Sequence, residues 1–252
     1  MTGINTGTKS SKIVVFLWPI IFILICLYIK ISNNDAYRSM VREDAVIENM
    51  TCVACLLASV FALSVAQGFF KDRRQRYAWL YVLAFLFFFF IGMEEISWGQ
   101  RIFHTKTPEY LIEHNVQEET NIHNLRALHA LTTPSYVLVC LAGTCGWMFL
   151  CHPKLKGLRS QAKYLIPGWY LSLYFFFSLL IGLYLKVAAI LGRLEFFTWR
   201  DMEPAELLMS MGFCLFAAAA KHRQLQGIRV ERSAIGERAY IEEDVGSVPS
   251  KV

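Results

Sequence analysis

Two short polar blocks interrupt an otherwise oily chain. The first is Glu94-Glu95-Ile96-Ser97-Trp98-Gly99-Gln100-Arg101, directly after the run FFFFIGM. A carboxylate at the edge of the hydrocarbon normally faces the bundle interior with a partner, because leaving it in lipid is costly. Neighbouring helical residues point about 100° apart, so one of Glu94 and Glu95 can face inward while the other meets a neighbour or water. The inward carboxylate suits a general base or a metal ligand. Ser97 and Trp98 share its face if the helix continues, Arg101 can hold an anionic group, and Gln100 is a polar contact for the same ligand. The plainer alternative is an interfacial helix end with a Trp anchor and solvated acids.

The second block is Asn115-Val116-Gln117-Glu118-Glu119-Thr120-Asn121-Ile122-His123-Asn124. Four of the six histidines, His104, His114, His123 and His129, lie in and around it, which an apolar bundle does not require. A helix over 117–130, entered through a turn at Pro108, would align Glu119 with His123 at i,i+4. A carboxylate there orients the imidazole and fixes its tautomer, or the two ligate a metal together. Asn121 and Asn124 would supply amide donors at the same level. His129 falls about 240° round from His123 and joins less well. Neither HExxH nor HxxxH occurs, so no zinc signature is present. Glu94, Glu95, Glu119 and His123 are therefore the candidate catalytic set. Arg42, Trp98, Gln100, Arg101, Asn121 and Asn124 are the candidate substrate contacts. A divalent metal is the cofactor that Glu95, Glu119 and His123 would take.

Two further clusters border these blocks. Arg42, Glu43, Asp44 and Glu48 precede one apolar run, where a solvated loop with internal ion pairs is the ordinary reading. Trp199, Arg200, Asp201, Glu203 and Glu206 precede another. Glu206 falls within the run and asks for a partner. Lys186 is one candidate, and its simple snorkelling to the interface is the alternative. Cys52 and Cys55 form a CxxC within an apolar run with no second pair, which reads as small packing residues. Asn49-Met50-Thr51 matches a glycosylation sequon but abuts an apolar run, so it reads as chance.

What must position these residues follows from composition. Of 252 residues, 55% are hydrophobic and only 18% charged, against roughly a quarter charged in a soluble domain. About 20 apolar residues span the hydrocarbon core. Six stretches approach that: 13–29, 50–70, 77–93, 131–151, 164–185 (with an extension towards 192) and 202–220. Lipid obliges all of them to be helical, and barrel-type alternation is absent. The expected fold is an all-α polytopic membrane bundle of about six transmembrane helices, with residues 1–220 as one domain and 221–252 as a charged tail, partly disordered. The +5 net charge lies in short loops, which excludes a nucleic-acid role and fits the positive-inside rule. Lys71, Arg73, Arg74 and Arg76 cluster in one loop. Lys154, Lys156, Arg159 and Lys163 fill a second, and Lys221, Arg223, Arg229 and Arg232 follow the last run. Both termini are then cytoplasmic, and loops 30–49, 94–130 and 193–201 are outside. Lys9 and Lys12 precede the first run without a cleavage site, which reads as a retained anchor.

The blocks Arg42-Glu43-Asp44 with Glu48 and Thr51, Glu94-Glu95-Ile96-Ser97-Trp98-Gly99-Gln100-Arg101, and Asn115-x-Gln117-x-Glu119-Thr120-Asn121-x-His123-Asn124 resemble an uncharacterised family of multi-pass, mostly bacterial, membrane proteins. The resemblance runs from about residue 40 to residue 125. It implies a long outer loop joining the last two blocks; an inner or plasma membrane is the default location. It implies no reaction.

Three functions compete. The first is an enzyme working at the outer leaflet on a lipid or lipid-linked substrate, with Arg42 and Arg101 holding a phosphate. The second is a non-enzymatic partner of a membrane assembly, in which the polar blocks lock loop to bundle. The third is a transporter, which the scarcity of charge at mid-span disfavours.

Overall fold

A computed structural model describes residues 9–42, 45–100, 102–115, 120–122, 125, 129–154, 162–194 and 196–246. The architecture is an all-α membrane bundle. Its helices are α1 (Lys9–Ser32), α2 (Asn34–Val41), α3 (Val46–Lys71), α4 (Gln75–Glu95), α5 (Glu109–His114), α6 (His129–Cys151), α7 (Ser172–Ile190) and α8 (Met202–Gly246). Six helical segments are long and apolar enough to cross a membrane. They contain α1, α3, α4, α6 from Thr133 onward, α7 and the first part of α8.

The boundaries follow local chemistry. Asn33 caps α2 by accepting the Ala36 amide at 3.0 Å, as a short polar side chain at an N-terminus should. The fifth span starts later than residue 164. Pro167-Gly168 interrupts the helix, and a single 3-10 turn at Trp169–Leu171 opens α7, which then continues past Lys186 to Ile190. The charged tail continues α8 as one helix through Gly246.

α3 is the central helix, packed along both α4 and α8. It carries a stripe of small residues at four-residue spacing, Ala54, Ala58, Ala62 and Ala66, all buried. Small side chains let helix backbones approach closely where lipid supplies no hydrophobic drive. Gly92 on α4 completes that approach. A Cβ there would lie 3.2 Å from the Cys55 side chain and 3.3 Å from Leu56.

Alternation of the spans gives the bundle two ends. The basic end carries the α3–α4 and α6–α7 connections. There Phe69 packs edge-on to Tyr164, and the Tyr81 hydroxyl donates to the Tyr164 carbonyl at 2.7 Å. The polar end carries the α1–α3, α4–α6 and α7–α8 connections. There Lys30, at the end of α1, pairs with Asp201 at 2.5 Å with both side chains buried. The Tyr37 hydroxyl donates to the same oxygen at 2.7 Å. The Lys30 ammonium sits 4.7 Å from the Phe197 ring centre and 4.9 Å from those of Tyr37 and Phe196. The other Asp201 oxygen accepts the Thr198 amide at 2.6 Å, which fixes the turn that starts α8. One buried ion pair thus ties α1, α2 and α8 together.

Candidate functional site

Glu94 and Glu95 end α4 at the polar end. The chain then reverses through Ser97, Trp98 and Gly99, with φ of 45°, 55° and 74°. Positive φ suits glycine, but in Ser and Trp it costs on the order of 1 kcal/mol or more each. Surrounding contacts must hold the turn. It swings the Trp98 indole back so that Nε1 donates to Glu94 Oε1 at 2.5 Å. Trp98 also packs edge-on to Phe90.

The same turn grips the second polar block. The Ile122 amide donates to Glu94 Oε2 at 2.6 Å. The Thr120 amide donates to Gln100 Oε1 at 2.8 Å, and Gln100 Nε2 donates to the Thr107 hydroxyl at 2.8 Å. Asn115 Nδ2 reaches the Asn121 carbonyl at 2.8 Å and its Oδ1 at 2.7 Å. Asn121 Nδ2 reaches the Ser97 hydroxyl at 3.4 Å. Glu94, Ser97, Asn115 and Asn121 are all buried. In this latch, side chains at the end of α4 hold the backbone of the loop between α5 and α6.

The latch explains a departure from the helix expected over 117–130. Thr120, Asn121 and Ile122 are not helical, Asn115 and Leu125 form an isolated antiparallel bridge, and α6 begins only at His129. The Thr120 and Ile122 amides donate to side chains of the first block rather than to i−4 carbonyls. Residues 120–122, between Glu119 and His123 in sequence, are thus not helical. Glu119, His123, Asn124 and Arg101 themselves lie outside the described residues.

Glu95 points elsewhere. Its carboxylate meets those of Glu203 and Glu206, one oxygen of each lying within 4.8 Å of the others. The three arrive from the last turn of α4 and the first turns of α8, where spacing i,i+3 stacks Glu203 and Glu206 on one face. All three are half-buried, and Glu48 of α3 adds a fourth charge within electrostatic reach. Two carboxylates at this separation repel by roughly 3 kcal/mol at an effective dielectric near 20. A hard divalent cation such as Mg2+, Ca2+ or Mn2+ would convert that repulsion into coordination, because all-oxygen sets suit these ions.

Lys186 is one candidate partner for Glu206 from the sequence, with simple snorkelling the alternative. The Lys186 ammonium instead donates to the Thr133 hydroxyl at 2.8 Å, and Glu206 joins Glu95 and Glu203. Arg42 follows the last turn of α2 as its exposed C-cap. Cys52 and Cys55 are buried and free, and Cys55 contacts the Ser210 hydroxyl at 3.3 Å, consistent with packing.

Sequence reasoning missed two things here. It named Glu203 and Glu206 without connecting them to Glu95, more than 100 positions away. It also passed over Lys30, because a single lysine closing an apolar run ordinarily snorkels. No spacing rule links Lys30 to a partner 171 residues further on.

No protein-family model, curated protein or solved structure matches the chain.

Proposed function

We propose that this chain is a cation-dependent membrane protein that binds, and as an enzyme transforms, an anionic lipid or lipid-linked substrate at the non-cytoplasmic face. The observation that carries this reading is the convergence of Glu95, Glu203 and Glu206 within 4.8 Å at the polar end of the bundle. A cation held there would polarise a phosphoryl or carbonyl oxygen and lower the pKa of a bound water. The chain's own residues would orient that centre. Glu94, Ser97 and Gln100 hold Ile122, Asn121 and Thr120, and His123 follows Ile122 in sequence as the candidate proton carrier. The basic residues of the α3–α4 and α6–α7 connections support placing those loops in the cytoplasm of an inner or plasma membrane, and the polar end opposite.

The test is metal content by mass spectrometry on detergent-purified protein, wild type beside Glu206→Gln. Near-stoichiometric metal that disappears in the variant supports the reading. No metal in either protein, after purification in Mg2+ or Mn2+, defeats it.

A second reading is favoured by a specific observation. Glu94, Ser97, Gln100, Asn115 and Asn121 spend their polar atoms on holding the loop. That suits a non-enzymatic partner of a membrane assembly that presents a rigid outer surface. It predicts a co-purifying membrane protein that Trp98→Ala releases, with no change in metal content.

A further inference from the structure

A groove of about 750 Å³ opens on the side of α3 turned away from the carboxylate cluster. Cys52 and Cys55, on the buried face of α3, lie within electrostatic reach of Glu95. The groove instead uses the exposed positions Asn49, Val53 and Leu57, with Leu207 and Leu215 of α8 as its other wall. Its composition changes along its length. Ser39 and Arg42, at the end of α2, and Asn49, in the first turn of α3, form a polar mouth, and everything deeper is apolar apart from a thiol. From Asn49 to Leu57, and from Leu207 to Leu215, each wall runs about 12 Å at 1.5 Å per residue. One leaflet of the hydrocarbon core is about 15 Å deep.

A cationic mouth above an apolar furrow about one leaflet deep matches one kind of molecule; the Ser39 hydroxyl at its edge donates to the Ala36 carbonyl at 2.7 Å. We infer that the groove between α3 and α8 is a binding site for an anionic phospholipid, its phosphate held by Arg42 with the second amide hydrogen of Asn49, the first being donated to the Ala45 carbonyl, and one acyl chain lying along Val53. A packed partner helix fits less well. It would follow the span for the full thickness of the core, about 30 Å, whereas the lining here ends at Leu57 and Leu215. The guanidinium supplies charge complementarity and a forked donor geometry suited to phosphate. The site is independent of whether the carboxylates hold a cation. It holds a lipid as a resident or as a reservoir, and it does not lead into the cluster.

The experiment is native mass spectrometry of the full chain in detergent, titrated with phosphatidylglycerol, with phosphatidylcholine of the same acyl chains, and with inorganic phosphate. Wild type should retain one phosphatidylglycerol in preference to phosphatidylcholine, and millimolar phosphate should not displace it. Arg42→Gln should weaken phosphatidylglycerol about tenfold or more and level it with phosphatidylcholine, the loss expected when a charge-assisted contact is removed. Val53→Trp, which fills the furrow from an exposed position, should abolish retention of both lipids. Retention by either variant at the wild-type level overturns the assignment. So does equal retention of the two lipids by wild type, or displacement by phosphate alone. Glu206→Gln should lose the cation and keep the lipid, so this site and the proposed function can fail separately.

Discussion

Glu94 and Glu95 are neighbours with opposite surroundings. Both oxygens of Glu94 accept N–H groups, from the Trp98 indole and the Ile122 backbone. Glu95 turns about 100° away into two other carboxylates. In the first environment the negative charge is satisfied by protein donors and does structural work. In the second it gathers with the carboxylates of Glu203 and Glu206. One helix terminus thus divides into a latch and an acidic cluster. The lesson is that an adjacent acidic pair should be read by what each member faces, not as a unit.

That division can be broken or sharpened by substitution. The reference for a buried charge with a structural role at the same end is Asp201. Asp201→Ala would leave Lys30 buried without its partner, so a loss of about 3–5 kcal/mol is expected, read as the largest fall in detergent melting temperature. Glu94→Gln comes next. It retains one acceptor but brings an NH2 group against an N–H donor, for an expected loss of about 1–3 kcal/mol. Faster proteolytic cleavage within 102–128 would identify the latch as what failed. A Glu94→Gln chain as stable and as protease-resistant as wild type would erase the distinction between the two residues.

Glu95→Gln should move in the other direction. In chelator it removes one repelling charge from the cluster, so its melting temperature should equal or exceed that of wild type, with a gain of up to about 3 kcal/mol. Lys186→Ala is expected to be nearly silent, within about 0.5 kcal/mol, because its contact with Thr133 is exposed. A large loss there would mean that a charge outside both latch and cluster matters as much as those within them.

The fold was largely legible because lipid leaves few alternatives. Long apolar runs must be helices, and six were readable as spans. The start of α7 shifted only where Pro167-Gly168 imposes a break. The two polar blocks were also legible, since charge and amide groups at the edge of an apolar run require an explanation. Their pairing was not. That the Thr120 and Ile122 amides would abandon a helix for Gln100 and Glu94 depends on the left-handed turn at Ser97–Gly99, and no propensity announces two non-glycine residues there. The cluster was half legible. Glu206 called for a buried partner, but the sequence suggested the opposite charge at Lys186, whereas the bundle delivered like charge from α4. The Lys30–Asp201 pair was illegible for the same reason, as contacts between distant helices follow from packing.

The central claim is that Glu95 belongs to a cation site and Glu94 does not. It is tested most directly by melting wild type, Glu94→Gln and Glu95→Gln in detergent, each with EDTA and with Mn2+. Binding to the folded state raises stability by RT ln(1 + [L]/Kd), about 2.7 kcal/mol at a hundredfold excess over Kd. The account predicts that Mn2+ stabilises wild type, stabilises Glu94→Gln by a similar increment from a lower baseline, and leaves Glu95→Gln unmoved. A wild type indifferent to Mn2+, or a Glu95→Gln protein stabilised as much as wild type, would contradict it.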